Sequence, residues 1–288
     1  LSLIDGLLHN PAMKEEKIVG LVNTFETRNN DVFICTYPKS GTTWMQQITL
    51  LLLNKGDPGE KTYSEVIPWL EAITAGGLLQ EREAKGWETL DQVKANPDRR
   101  FFKTHANLAT LPAGTAPGAK VVYVARNPKD VCVSLFHHAK NKPEFGFDGG
   151  FPEMLHLFAE GRVETNSWFD HVLDWWKAAE ADPDHVLFLC YEDVLKNKKE
   201  CIAKLAAFMG IECNEEILEK VCKASSIESM KHDSKVNAMV GLNHIRKGGA
   251  GGWRDVFTVR ESETFDALYS ERMAGSSLKM DFGEGLVM

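Results

Sequence analysis

Two periods alternate along this chain. Short apolar runs rich in β-branched residues are each followed by a segment whose apolar positions recur every three or four residues, the pattern of strands that feed helices. Asp31 to Thr36 reads as a buried strand, and Thr42 to Leu53, with Met45, Ile48 and Leu52 on one face, as the helix after it. Lys120 to Ala125 reads as a second strand, with Pro117-Gly118 before it and Asn127-Pro128 after it. The next helix is marked by Asn127 as cap, Pro128 at the first helical position and Asp130 in the first turn. His185 to Tyr191 reads as a third strand. One later helix places Ile202, Leu205, Ala206 and Met209 together and stops at Gly210; another starts at Asn214 and turns Ile217, Leu218 and Val221 inward. Strand–helix alternation of this kind predicts an α/β fold, a central parallel sheet flanked by helices. The stretches 56–68, 74–100, 140–152 and 235–252 carry little periodicity. Irregular segments of that length often shape a ligand pocket.

The turn after the first strand is the most specific feature. It reads Thr36-Tyr-Pro-Lys-Ser-Gly-Thr-Thr-Trp44. A strand, a tight turn containing Lys and Gly, and a helix that opens in hydroxyl residues make an anion cradle. Amide N–H groups point out of the helix start, and the helix dipole adds positive potential there. The turn is P-loop-like without being the nucleotide loop G-x-x-x-x-G-K-S/T, because Lys39 precedes Gly41 and no upstream Gly completes that pattern. It should hold a phosphate or a sulfate.

Composition narrows the rest. The 288 residues carry no repeat, low-complexity tract or linker, so one domain over 1–288 is expected. Net charge is −8, from 41 acids against 33 bases, which argues against a nucleic-acid partner but leaves room for a local cationic site. No run approaches the ~20 apolar residues of a membrane span. The N-terminus shows no basic segment followed by an apolar one, so no secretory signal is expected. The six cysteines (Cys35, Cys132, Cys190, Cys201, Cys213, Cys222) contain no C-x-x-C pair and read as reduced core thiols of a cytoplasmic protein.

The turn at 36–44 resembles the 5′-phosphosulfate loop of the cytosolic sulfotransferases, which use 3′-phosphoadenosine 5′-phosphosulfate (PAPS). Tyr123-Val-Ala-Arg-Asn-Pro-Lys-Asp-Val-Cys-Val-Ser134 and Arg246-Lys-Gly-Gly-Ala-Gly-Gly-Trp253 are similar to two further segments of that family. Lys103-Thr-His105 stands where the family keeps its base. The four motifs occur in the family's order and cover nearly the whole chain.

The resemblance implies a role for each residue. Lys39 would stabilise charge on the bridging oxygen as sulfuryl leaves, a contact stronger in the transition state than in the ground state. Ser40, Gly41, Thr42 and Thr43 would bind the 5′-phosphate. Arg126 and Ser134, with Arg246, Lys247 and Gly248, would clamp the 3′-phosphate that distinguishes PAPS from ordinary adenylates. Trp44 offers a flat face to the adenine, and Tyr191, Ser225 and Ile227 would lie near the base. Ile227 replaces the Phe usual in the family, and Ser225 a Thr. His105 is the general base, since histidine titrates near neutrality, with Lys103 assisting at the sulfuryl group. The family continues Leu-Pro after this His; here Ala106-Asn107 follows, which changes the adjoining pocket wall. His137 and His138 read as helix-surface residues. Residues 254–263 are similar to the family's short dimerisation segment, with Arg254 for Lys, and imply a weak homodimer through Thr258-Val259.

The function expected is transfer of a sulfuryl group from PAPS to a hydroxyl or amine of a small apolar acceptor, leaving 3′-phosphoadenosine 5′-phosphate (PAP). No metal is expected, because a transferring sulfuryl group carries less charge than a phosphoryl group. Three alternatives stay open: a PAPS-dependent dehydratase or lyase acting through a sulfonated alcohol, a nucleotide kinase, and a non-catalytic binding protein.

Overall fold

A computed structural model describes residues 1–4, 7–9, 25–74, 90–112, 116–236 and 248–283. Its centre is a four-stranded, all-parallel sheet of order β4-β3-β5-β6. The strands are β3 (Val32–Thr36), β4 (Phe101–Thr104), β5 (Lys120–Ala125) and β6 (Val186–Cys190). A separate antiparallel pair, β1 (Ser2–Ile4) with β2 (Leu7–His9), was not anticipated from the sequence pattern. The predicted strands lose a residue where the ladder ends: Asp31 precedes β3, and His185 and Tyr191 flank β6.

The pleat decides which side chains meet which helices. Val32 and Ile34 of β3, Val122 and Val124 of β5, and Leu187 and Leu189 of β6 share one apolar cluster. Three helices complete it: α1 (Thr42–Leu53), Lys198–Met209 and Glu215–Ala224. Phe33, Cys35, Tyr123 and Ala125 project to the other face. There they pack against the helices Pro128–Lys140 and Trp168–Ala181, with Tyr123 stacked on Trp175 at 5.5 Å. Both faces are covered, which is why the strands read as continuous apolar runs.

Local signals place the ends of these elements. Asn127 caps the helix from Pro128 by accepting from the Asp130 amide at 2.9 Å, and Asn214 caps its helix through the Ile217 amide. Gly210 ends Lys198–Met209 in the left-handed conformation at φ 65°. The stretches that lack periodicity contain short helices at Tyr63–Val66 and Leu90–Ala95 and a 3-10 turn at Pro143–Phe145, and a further short helix, Leu70–Thr74, lies between two of them. Three longer helices, Phe151–Ala159, Trp168–Ala181 and Val259–Arg272, were not foreseen. Among the described residues, no helix is long and apolar enough to cross a membrane. All six cysteines are free, but only Cys35 and Cys132 are buried; Cys190, Cys201, Cys213 and Cys222 are partly exposed, so the all-core reading is corrected.

The register sets up the site. Cys35 pairs with Thr104, Thr36 with Val124, and Ala125 with Cys190. The four carboxyl ends therefore lie side by side, and the residues just beyond them are Tyr37–Lys39, His105, Arg126 and Tyr191. β4 and β5 flank β3 on opposite sides, which makes β3 the strand from which the chain departs in both directions. That is where ligands bind in open parallel sheets.

Candidate active site

The turn between β3 and α1 is tight. The Ser40 amide donates to the Tyr37 carbonyl at 3.2 Å, closing the turn, and Lys39 and Gly41 both have positive φ, 71° and 99°. No side chain caps the first amides of α1, and no acidic residue stands in its first turn. The Thr42 hydroxyl is bonded to the Thr36 hydroxyl at 2.7 Å, while Ser40 Oγ is buried without a partner. Thr43 and Lys39 are partly buried at the rim. A Cβ on Gly41 would lie 2.6 Å from Tyr191 Cδ2, so only glycine lets the turn pass this ring.

The Arg126 segment and the glycine-rich segment converge on the same turn. Arg126 donates to the Gly249 carbonyl at 2.9 Å and to the Lys39 carbonyl at 3.3 Å. Its guanidinium sits 4.6 Å over the Tyr191 ring, and its Nε is buried without a partner. Asp130 fixes the glycine segment by accepting from the amides of Gly251 at 2.8 Å and Trp253 at 2.9 Å. Ser134 lies partly exposed on the helix from Pro128. Gly248, at φ 71°, packs so closely on Ile227 that an added Cβ would be 2.6 Å from Cγ2. Arg246 and Lys247 lie outside the described residues.

Trp44 is mostly core, at 7% exposure. Its indole N–H donates to the Ser225 carbonyl at 2.8 Å, and its ring meets Tyr191 edge-on at 5.1 Å. The Ser225 hydroxyl is buried with no partner. Three orphaned polar groups (Ser40 Oγ, Arg126 Nε, Ser225 Oγ) thus line one path from the turn, past Arg126, to the Trp44–Tyr191 pair. Buried polar groups without partners are rare and call for a ligand. This path fits an adenine nucleotide phosphorylated at both ends.

His105 follows β4 directly. Its Nδ1 lies 2.8 Å from the Thr36 carbonyl, which can only accept, so Nδ1 carries the proton and Nε2 keeps a free lone pair. Its amide donates to Glu71 Oε1 at 2.8 Å, and its carbonyl accepts from His171 Nε2 at 3.2 Å. His171 in turn accepts at Nδ1 from the Tyr123 hydroxyl at 2.7 Å. Burial first, then the charge of Lys103, holds the His105 imidazole well below its usual range, so it is neutral at neutral pH. Burial lowers His171 to about 4.

The cations of the site are tuned as well. Burial, followed by Lys103, lowers Lys39 to about 7. A bound anion would raise it again. Lys103 Nζ rests 4.1 Å over the Trp69 ring. Burial raises the carboxyl of Glu71, whose Oε1 also accepts from the Thr104 hydroxyl at 2.9 Å. Burial raises Glu164 to about 7, against the pull of Lys103 and Lys39.

Several functional partners escaped the sequence reading. His138 is not simply a surface residue, because its Nδ1 lies 3.5 Å from Lys39 Nζ. Glu71 and Trp69 touch His105 and Lys103, and neither carried a signal. Trp69 and Glu71 lie at the edge of an unreadable stretch, and only the pairing of Lys103 with residues 68 and 69 brings them in.

Residues 29–277 match the family described as "Sulfotransferase domain". The chain is 37% identical over 270 residues to dog sulfotransferase 1B1, covering 90% of this chain and 88% of that protein. It is 34% identical over 292 residues to human sulfotransferase 1C2, covering 96% and 94%. Mouse sulfotransferase SULT7A1, solved with PAP, superposes at a TM-score of 0.78 with 29% identity over 94% of this chain and 93% of that one. Retinol dehydratase, solved with retinol and PAP, superposes at 0.79 with 26% identity over 92% and 88%.

Proposed function

The chain belongs to the sulfotransferase family, and from that premise we propose that it moves a sulfuryl group from PAPS to a hydroxyl or amine of a small, largely apolar acceptor. One domain over 1–288 carries the reaction. PAPS, when bound, supplies the activated sulfuryl group. The observation that carries this reading is the His105–Thr36 bond, which presents a neutral Nε2 beside the lysine-bearing turn.

The chain's own residues divide the work. Ser40, Gly41, Thr42, Thr43 and the first amides of α1 hold the 5′-phosphate. Arg126, Ser134 and Gly248, with Arg246 and Lys247, hold the 3′-phosphate. Trp44, Tyr191, Ser225 and Ile227 surround the adenine. Nε2 of His105 takes the proton of the attacking oxygen. Lys39, fully charged once an anion lies against it, opposes the negative charge that develops on the leaving side. Lys103, whose charge acts on both Lys39 and His105, neutralises charge at the centre. The fixed placement of base and cation in one site gives the orientation an in-line displacement needs.

Retinol dehydratase among the fold neighbours favours a second reading, in which the sulfonated acceptor loses sulfate by elimination. Both readings share the first step. Its six free thiols suit a cytoplasmic protein, and residues 254–263 would join two copies weakly.

Calorimetric titration with PAP and with adenosine 5′-phosphate, in EDTA, tests the assignment. Tight binding of PAP alone is expected; equal binding of both nucleotides would overturn the 3′-phosphate clamp. Mass spectrometry after incubation with PAPS and an alcohol then separates a stable sulfate ester from a dehydrated product.

A further inference from the structure

His105 is joined to the turn after β3 by a second contact besides its bond to the Thr36 carbonyl. Its Nδ1 also lies 3.3 Å from the Thr36 hydroxyl. That hydroxyl lies 2.7 Å from the hydroxyl of Thr42, the first residue of α1. His105 Nδ1, Thr36 Oγ1 and Thr42 Oγ1 thus form a chain of contacts from the base to the helix start. Thr36 is fully buried and Thr42 is 8% exposed. Among the described residues, neither hydroxyl has a further hydrogen-bond partner.

The direction of each hydrogen bond in this chain is fixed from the His105 end. The Thr36 carbonyl can only accept, so the imidazole proton sits on Nδ1. The single hydrogen of the Thr36 hydroxyl cannot point at a protonated Nδ1, so it is donated to Thr42 Oγ1. The reverse order would leave that hydrogen buried with no acceptor. The Thr42 hydroxyl then keeps its own hydrogen unused. It stands at the start of α1, two residues after Ser40, whose hydroxyl is fully buried without a partner. One turn therefore holds two buried hydroxyl hydrogens with nothing to donate to, a demand that an anion meets.

We propose that Thr36 is a positioning residue whose hydroxyl couples the base to the bound nucleotide. The Thr42 hydroxyl donates to the 5′-phosphate, the Thr36 hydroxyl donates to Thr42, and the Nδ1–H of His105 faces the remaining lone pair of Thr36. A hydroxyl that donates its own hydrogen to a charged partner becomes a better acceptor, so each bond strengthens the next. When Nε2 takes the proton of the attacking oxygen, the imidazole gains a positive charge, and the strengthened Nδ1–H bond stabilises it. The Nδ1 proton stays where it is, so no proton travels along the chain. The Thr36 carbonyl fixes the tautomer whether or not a nucleotide is bound; the hydroxyl chain responds to the nucleotide. The inference rests on the sulfotransferase reading and adds one residue to its chemistry.

Two variants isolate the hydroxyl. Thr36→Val keeps the branched shape and the backbone carbonyl, and Thr36→Ser keeps the hydroxyl. The Nδ1–H resonance of His105, followed by NMR on isotope-labelled histidine and assigned by its loss in His105→Ala, is compared with and without PAP. In the wild type and Thr36→Ser, PAP should move it downfield. In Thr36→Val it should stay in place. The charge of bound PAP acts through space equally in all three proteins, so a shift that persists in Thr36→Val overturns the inference. Absence of a shift in the PAP-bound wild type overturns it as well. With PAPS and an acceptor, Thr36→Val should lose roughly tenfold in kcat while the KM for PAPS holds, and Thr36→Ser should recover most of that loss. Unchanged kcat in Thr36→Val counts against the coupling. Calorimetry with PAP reports that each variant is folded. Thr42→Val cuts the same chain one link further on and, at saturating PAP, should also abolish the shift, which keeps the test decisive if Thr36→Val does not fold. Failure of the wild type to bind PAP overturns the sulfotransferase reading and this inference with it.

Discussion

His105 Nδ1 and the carbonyl of Thr36 are 2.8 Å apart, and this one bond ties the base of β4 to the strand that leads into the phosphosulfate turn. The carbonyl fixes the tautomer, and the parallel register of β3 and β4 fixes the distance between base and turn. His105→Ala should lower kcat by about 10²–10⁴, the range of a general base, with PAP affinity unchanged by calorimetry. An equal loss of PAP affinity would show that His105 acts in cofactor binding instead.

Lys39 sets the alkaline limb of the pH profile. The free protein holds it at about 7, and only the charged form opposes developing negative charge. kcat/KM for PAPS should therefore fall as pH rises through about 7. The limb in kcat should lie higher, because the bound anion restores the Lys39 proton. The acid limb should lie below the usual histidine range, since His105 stays neutral down to well below it. Lys39→Met should remove the alkaline limb along with most of kcat.

Glu71 positions the base without touching a reactant. It accepts from the His105 amide and the Thr104 hydroxyl. Glu71→Ala leaves both donors buried and unpaired, at roughly 1–3 kcal/mol each. Its kcat should drop while the KM for PAPS holds, and Glu71→Gln, which keeps one acceptor oxygen, should recover a large part of the rate. Loss of stability with kcat unchanged would restrict Glu71 to a structural role.

Glu164 leaves a mark on stability. Its folded pKa of about 7 lies above the unfolded value of 4.5, so its ionisation opposes folding as pH rises between them and costs the same above 7. Glu164→Gln should therefore raise the thermal midpoint at pH 8 relative to pH 5. A shift of that size corresponds to roughly 3 kcal/mol. Parallel midpoints at the two pH values would contradict a buried, ionising carboxylate.

Thr258 and Val259 test the proposed dimer. Thr258 caps the helix Val259–Arg272 in a reciprocal capping box with Glu261, and Val259, the first helical residue, is 75% exposed. Thr258-Val259 is thus the start of a helix. Val259→Asp spares the cap and should shift sedimentation velocity to the monomer at concentrations where the wild type self-associates.

The local chemistry of this protein is written in its sequence. The Lys39–Thr43 turn, the Asn127-Pro128 cap, the strands around Ile34 and Val122, and the Gly210 stop each depend on residues within a few positions of one another. Such short-range patterns are visible without a fold. That local order also placed Lys39, Arg126 and His105 just after strands, where a parallel sheet must gather them. Glu71, Trp69 and His138 could not be found that way. Each owes its place to a partner far along the chain: Glu71 to His105, Trp69 and His138 to lysines of other segments. The sequence thus determines the turn and strand ends proposed to hold the sulfuryl donor. Only the tertiary structure decides what surrounds the acceptor, because that wall is assembled from irregular segments whose only order comes from long-range hydrogen bonds and packing.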